Sequence, residues 1–116
     1  MNELPPPSPG IGRDKDIITL NLSFEFTAEA PRLFAIIGDE GQWPEELSPR
    51  ILKSQPNSKI VAALSDFTRL EFNFTSNSGV CEITLFHDLI KSNDARNEYV
   101  RIWNDWFQVL ANRVSL

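Results

Sequence analysis

The sequence predicts an α+β domain in which an antiparallel sheet packs on one long C-terminal helix, with two short helices after the first strand. Three observations lead to this fold class. Apolar and polar residues alternate in several short segments, as they do in strands with one buried face. Turn-forming residues separate consecutive strands, and such short connections join antiparallel neighbours. Residues 93–116 contain neither Gly nor Pro, and their apolar residues recur at spacings of three and four, as on one side of a helix.

The first strand and the two short helices are predicted in the first half of the chain. Apolar residues occupy every second position of Ile18–Phe26, which predicts one buried and one solvated face. Thr27 can cap the N-terminus of a helix, and Pro31 suits an early helical position. Gly38 is of the residue type that commonly follows a helix end. Residues 39–47 are predicted to form the second helix, which is short and irregular.

Four further strands are predicted in the middle of the chain. The alternation returns in residues 50–54 and 59–64, and it is clearest in residues 68–75 and 80–87. The turn at residues 76–79 contains Asn and Gly, which tolerate the positive φ angles that tight hairpins need. Consecutive hairpins of this kind favour an antiparallel sheet.

The last element is a long amphipathic helix that begins after Ser92 or Asn93, either of which can cap it. Its apolar residues at helical spacing are Tyr99, Trp103, Trp106, Phe107, Leu110 and Val114. Ile102, Val109 and Leu116 widen this apolar arc. We therefore expect the helix to be largely buried against the sheet.

The overall composition excludes several classes of protein. The chain has 116 residues with 16 acidic and 11 basic side chains, which gives a net charge of −5. An acidic chain is a poor match for nucleic acid, whose binding depends on basic contacts to phosphate, and no apolar run is long enough to span a membrane. Cys81 is the single cysteine, so no intramolecular disulfide can form. Without a secretion signal, a cytoplasmic location is expected.

The chain is predicted to contain one domain after a short leader. Residues 1–14 are rich in Pro and contain two Gly, a composition that predicts a mostly disordered segment. Residues 15–116 are predicted to form the single domain, which is an ordinary length for one folding unit.

The order of predicted elements is that of a helix-grip fold, and the residues resemble the START/birch-pollen-allergen-like (SRPBCC) superfamily. Within it, the chain is most similar to homologues of the heat-shock-protein-90 ATPase activator, in a shortened form. The resemblance is carried by residues 24–34, Trp43, residues 68–72, residues 79–87 and the helix residues Trp103, Phe107, Leu110 and Val114. The chain departs from the family at Ile102, where Gly is usual, and between Trp43 and residue 59, where similar domains are longer.

The resemblance implies a curved sheet wrapped around the long helix, with a cavity between them. The first hypothesis is therefore a non-enzymatic binding module that holds a small apolar molecule in this cavity. The residues proposed to contact such a ligand are Trp43, Phe72, Phe74, His87, Tyr99, Trp103 and Phe107. The alternative is a protein-interaction or chaperone-associated domain that acts through its surface or as a homodimer, because a shortened sheet leaves an open flank.

Few residues suggest catalysis. His87 lies beside Asp88, and such a pair could provide a general base for a small hydrolase or cyclase. Adjacent strand residues point to opposite faces, however, which favours a structural or solvent-facing histidine. Cys81 has no basic neighbour in sequence and is interpreted as a buried, inert thiol. One Cys and one His cannot form a zinc site on their own, so no metal or cofactor is predicted.

Overall fold

The computed structural model of the chain describes residues 18–114, which form one five-stranded antiparallel sheet together with helices on one of its faces. The strands are β1 (Ile18–Phe26), β2 (Arg50–Gln55), β3 (Lys59–Ala63), β4 (Arg69–Asn77) and β5 (Val80–Ile90), and the helices are α1 (Ala30–Ile37) and α2 (Asn93–Val114). The strand order is β1-β5-β4-β3-β2. The predicted α+β helix-grip class is confirmed. The predicted leader, residues 1–14, lies outside the described residues, as do both ends of the predicted domain.

The sheet has one buried face and one face turned to solvent. In β4, Leu70, Phe72 and Phe74 are buried, whereas Arg69 at the start of the same strand is exposed. Side chains of successive strand residues point to opposite faces, so this pattern places the helices on the Phe72 side. The opposite side, which we call the outer face, has no helix of residues 18–114 packed on it.

Helix α2 begins where the sequence predicts and is buried along one side only. The Ser92 hydroxyl accepts a hydrogen bond from the Ala95 N–H at 3.0 Å, as an N-cap does. Trp103 and Leu110 face the sheet, but Val109 is 56% exposed. The expectation of a largely buried helix was therefore wrong, because charged residues between the apolar ones keep the other side in water.

The segment around α1 differs in detail from the prediction. Thr27 does not cap the helix, since the cap position falls on Glu29, whose side chain makes no capping hydrogen bond. Pro31 lies in the first turn and Gly38 follows the last, as predicted. The expected second helix consists of two separate 3-10 turns, Glu40–Gln42 and Glu45–Leu47. Pro44 between them favours an extended residue before it, which interrupts the helical path.

The hairpin between β4 and β5 is confirmed. Asn77 pairs with Val80, and the two turn residues Ser78 and Gly79 have φ angles of 53° and 84°. Two positive φ angles are typical of the type I′ turn. Strand β5 continues beyond its predicted end at His87, because β1 pairs with it as far as Ile90. No helix formed by residues 18–114 combines the length and the apolarity needed to cross a membrane.

Candidate functional site

Four of the residues predicted to contact a ligand form a packed cluster between the sheet and α2. The ring centroid of Phe72 lies 5.4 Å from that of Trp43, 5.9 Å from that of Trp103 and 6.1 Å from that of Phe107. None of the four side chains is more than 5% exposed. These rings therefore pack on one another in the region where the resemblance implies a cavity.

Two indole groups fix the segment between α1 and β2, one of them to the end of α1 and the other to α2. The Trp43 Nε1–H donates to the backbone carbonyl of Ile37 at 2.7 Å, and the Trp106 Nε1–H donates to that of Gln42 at 3.0 Å. Phe74 lies apart from the cluster and contacts Phe34, with their centroids 5.5 Å apart. Phe74 is thus separated from the other predicted ligand contacts.

His87 and Tyr99 belong to a different arrangement, a hydrogen-bond network that runs from the buried His87 and Thr68 to the exposed carboxylate of Asp66. His87 is fully buried on the inner side of β5. Its Nδ1 accepts a hydrogen bond from the Trp103 Nε1–H at 3.0 Å, and its Nε2 lies 2.9 Å from the Thr68 hydroxyl. Because an indole N–H can only donate, the neutral imidazole carries its proton on Nε2 and donates it to Thr68.

The network continues from Thr68 to a carboxylate in the loop between β3 and β4. The Thr68 hydroxyl donates to Asp66 Oδ1 at 2.7 Å, and the Thr68 backbone N–H donates to the same oxygen at 3.0 Å. The Tyr99 hydroxyl donates to the other oxygen, Oδ2. Side chains of β5 and α2 are thereby joined to this loop, and each polar group along the path has a partner of the right type.

The surroundings fix the charge of each member. Burial lowers the pKa of His87 to about 4, although the negative charges of Asp66 and Asp88 oppose this shift. Burial would by itself raise the pKa of Asp66, but hydrogen bonds from Thr68 and Tyr99 outweigh it and hold that pKa below its usual value. Burial and the bond to Asp66 raise the pKa of Tyr99. At neutral pH the network contains one carboxylate and no other charge.

This geometry gives the general-base hypothesis no support. A general base must reach a proton of the substrate, and His87 has no exposed surface with which to do so. Cys81 is also buried, and burial raises the pKa of its thiol, in agreement with an inert residue. Within residues 18–114, no group of three or more acidic, His or Cys side chains is placed to hold a metal ion.

The loop that the network anchors displays Phe67, which the sequence analysis did not identify. Phe67 lies between Asp66 and Thr68, is 79% exposed and has a φ angle of 70°. A bulky side chain in the left-handed region is a genuine outlier and stores strain. The Asp-x-Thr spacing at residues 66–68 is typical of a side-chain-closed turn, and it is the signal that could have revealed the loop.

Phe67 forms one wall of a groove on the outer face. The groove has a volume of about 570 Å³, and its lining includes Arg50, Leu52, Phe67, Arg69 and Leu89. A second hollow of about 360 Å³ adjoins it across Arg69 and Leu89, and its lining includes Val61, Glu71, Phe86 and Asp88. Leu52 is 43% exposed and Phe86 is 41% exposed. We call these two hollows together the outer-face groove; Leu52, Phe67 and Phe86 are its exposed apolar side chains.

The fold matches solved structures of low sequence identity. The Aha1 dimer from Colwellia psychrerythraea aligns with a TM-score of 0.72 and 10% identity over 84% of this chain and 96% of that chain. CalU16 from Micromonospora echinospora aligns with a TM-score of 0.68 and 12% identity over 84% and 76% of the two chains. A START superfamily protein from Mycobacterium smegmatis gives a TM-score of 0.64 and 12% identity over 84% and 97%.

These likenesses define the class of protein by its fold. The chain has a helix-grip fold like that of the START superfamily protein, and the resemblance noted in the sequence is confirmed at the level of the fold. No protein-family model matches the chain, and a search of curated proteins found no match.

Proposed function

We propose that this domain is a non-enzymatic binding module that binds a protein partner through Phe67 and the outer-face groove. The observation that carries the proposal is the display of Phe67, which is 79% exposed at a φ angle of 70°. Protein-interaction sites are marked by exposed apolar groups set among polar ones, and aromatic side chains are favoured anchors.

The energetics of Phe67 support a role outside folding. A left-handed backbone costs a residue other than Gly about 1–2 kcal/mol, and an exposed ring recovers little of that cost by burial. Asp66 and Thr68 on either side are tied to Tyr99 and His87, so the loop is held in this conformation. Backbone strain that is maintained by surrounding hydrogen bonds is typical of functional sites.

The small-ligand hypothesis is the second candidate, and one observation favours it. An open surface pocket of about 250 Å³ lies where α2 meets β1, and its lining combines Phe24, Phe26 and Phe107 with the polar Glu25, Asn104 and Gln108. This volume is below the ~300–1,000 Å³ of most ligand sites. A larger apolar molecule would need the rings of Phe72 and Trp103 to move apart, which is why we rank this hypothesis second.

We propose that the partner of this domain is a protein. Aha1 from Colwellia psychrerythraea, which is similar to this chain in fold, forms a dimer, and the sequence resemblance concerns chaperone-associated domains. Both favour a protein as the partner of this domain. A cytoplasmic location stays a prediction from the sequence.

Substitution of Phe67 tests the proposed function. Phe67→Gly and Phe67→Ala both remove the ring, but only Gly adopts a positive φ angle without strain. The free energy of unfolding of Phe67→Gly should therefore be about 1 kcal/mol higher than that of Phe67→Ala. Val109→Ala, which removes another exposed apolar side chain from α2, is the matched control. Affinity capture with the full chain, quantified by mass spectrometry, should show that both Phe67 variants lose the bound protein and that Val109→Ala keeps it.

Retention of the same bound proteins by both Phe67 variants would overturn the proposal. Native mass spectrometry of the gently purified chain separates the two candidate functions. A protein assembly without added small-molecule mass supports the interaction domain, whereas a monomer with a bound small molecule supports the ligand hypothesis.

A further inference from the structure

The proposed function leaves the partner open, and the geometry points to a second copy of this chain. We infer that two outer faces pack together around a two-fold axis that runs parallel to the strands. This inference rests on the proposed function, because it uses the same groove. Its support is the distribution of charge across one row of the sheet.

Four residues form a row across the outer face at one level of the strands. Arg50 of β2 pairs with Ala63 of β3, Ala63 pairs with Arg69 of β4, and Arg69 pairs with Asp88 of β5. The row therefore begins with a cation at β2 and ends with an anion at β5. The small side chain of Ala63 and a second cation, Arg69, lie between these two ends.

The charges at the two ends of this row are incompletely neutralised within the chain. Neither guanidinium, that of Arg50 or that of Arg69, has a hydrogen bond or an ion pair with any residue the structure describes. Asp88 faces Arg69 across the strands, yet its carboxylate accepts a hydrogen bond from the Thr19 hydroxyl at 2.6 Å instead. The Arg50 guanidinium and the Asp88 carboxylate can thus each pair with an opposite charge of another molecule.

A two-fold axis between β3 and β4 would pair the charges at the two ends of the row with those of a second copy, and it would place Arg69 of each copy over Ala63 of the other. Such an axis exchanges β2 with β5 and β3 with β4, so it places Arg50 of each copy over Asp88 of the other. Two-fold interfaces use the same patch twice, and they require that the patch be complementary to itself. The exposed Leu52, Phe67 and Phe86 would then be covered near the same contact, as apolar side chains are at interface centres.

The β2 edge of the sheet is less suited to this association than the outer face. The Ile51 N–H on strand β2 donates to Glu40 Oε2 at 2.5 Å, so it is not available to pair with another strand. The register of β2 also shifts between Ile51 and Lys53, and a bulge and a lysine both oppose pairing with another strand. We therefore assign the contact to the outer face.

Charge exchange between copies tests the inference. Arg50→Asp and Asp88→Arg should each weaken self-association about tenfold or more, measured by analytical ultracentrifugation, because each places like charges together. An equal mixture of the two variants should associate, since both contacts are then opposite in sign. The double variant with both substitutions should associate as the unchanged chain does. Lys91→Asp, which alters an exposed charge outside the row, is the control, and circular dichroism checks that each variant folds.

Three results would overturn this inference. The unchanged chain could remain a monomer at every concentration, the single variants could associate as tightly as it does, or the mixture could fail to associate while the double variant folds. A monomeric chain that still loses a captured protein on Phe67→Gly would leave the proposed function intact and exclude only the second copy.

Discussion

At the scale of single residues, the buried polar network explains why this domain contains its one histidine. The imidazole of His87 accepts from the indole of Trp103 and donates to Thr68, a pair of roles that only the neutral ring can combine. Protonation would place a second donor against the indole N–H and a charge in the core. The network thus requires the neutral form.

This requirement predicts a loss of stability in mild acid. The unfolded chain binds a proton on His87 below about pH 6.5, whereas burial lowers the pKa in the folded chain to about 4. Between these values the unfolded state holds more protons, so the free energy of unfolding falls as the pH falls. The expected decrease from pH 7 to pH 4 is about 3 kcal/mol.

The comparison with His87→Gln isolates this effect. A glutamine can accept from Trp103 and donate to Thr68 but does not titrate. Urea denaturation should find the variant less stable than the unchanged chain at pH 7, and the difference should shrink by about 3 kcal/mol at pH 4. Parallel pH profiles for the two proteins would contradict the assignment of a neutral, buried His87.

At the scale of elements, α1 depends on a close backbone approach at its end. A Cβ added at Gly38 would lie 2.8 Å from the carbonyl oxygen of Phe34, closer than real contacts allow. Gly38→Ala should therefore lower the free energy of unfolding by about 2 kcal/mol, as other overpacked sites do. Gly41→Ala is the matched control, because its nearest atom is a flexible side-chain oxygen of Asp39 at 3.3 Å. Equal stability of the two variants, measured by urea denaturation, would show that the helix end can shift.

The elements also show which parts of the structure the sequence could predict. The strands and the long helix were predictable because apolar residues recur every second position in a strand and every three to four positions in a helix with one buried side. The cap of α1 and the path of residues 39–47 were not, because they depend on local geometry and on Pro44 rather than on a repeating pattern.

The candidate site was only partly predictable for a related reason. His87, Tyr99 and Trp103 stood out as isolated polar or aromatic residues, but their connection passes through Asp66 and Thr68 in a short loop. Contacts between residues that are distant in sequence leave no periodic signal. Phe67 could be recognised as displayed only once its φ angle and exposure were known.

At the scale of the whole molecule, the two faces of the sheet have different roles. The inner face carries the aromatic cluster and the buried end of the hydrogen-bond network, which also holds the Phe67 loop. The outer face lacks a covering helix among residues 18–114 and carries Phe67, Phe86 and the charged row. A single sheet with one helix layer thus leaves a surface available for association, and the stability of the chain becomes linked to whatever covers that surface.

This linkage predicts that the thermal midpoint depends on protein concentration. If a second copy binds only the folded chain, a roughly hundredfold increase in concentration should raise the Tm by about 5 °C for a domain of this size. At each concentration Arg50→Asp should have a lower Tm than the unchanged chain, because its weaker association leaves less of the folded chain stabilised by a second copy. Reversible scanning calorimetry measures both proteins under identical conditions. A Tm of the unchanged chain that is independent of concentration would mean that the outer face is free in the folded state.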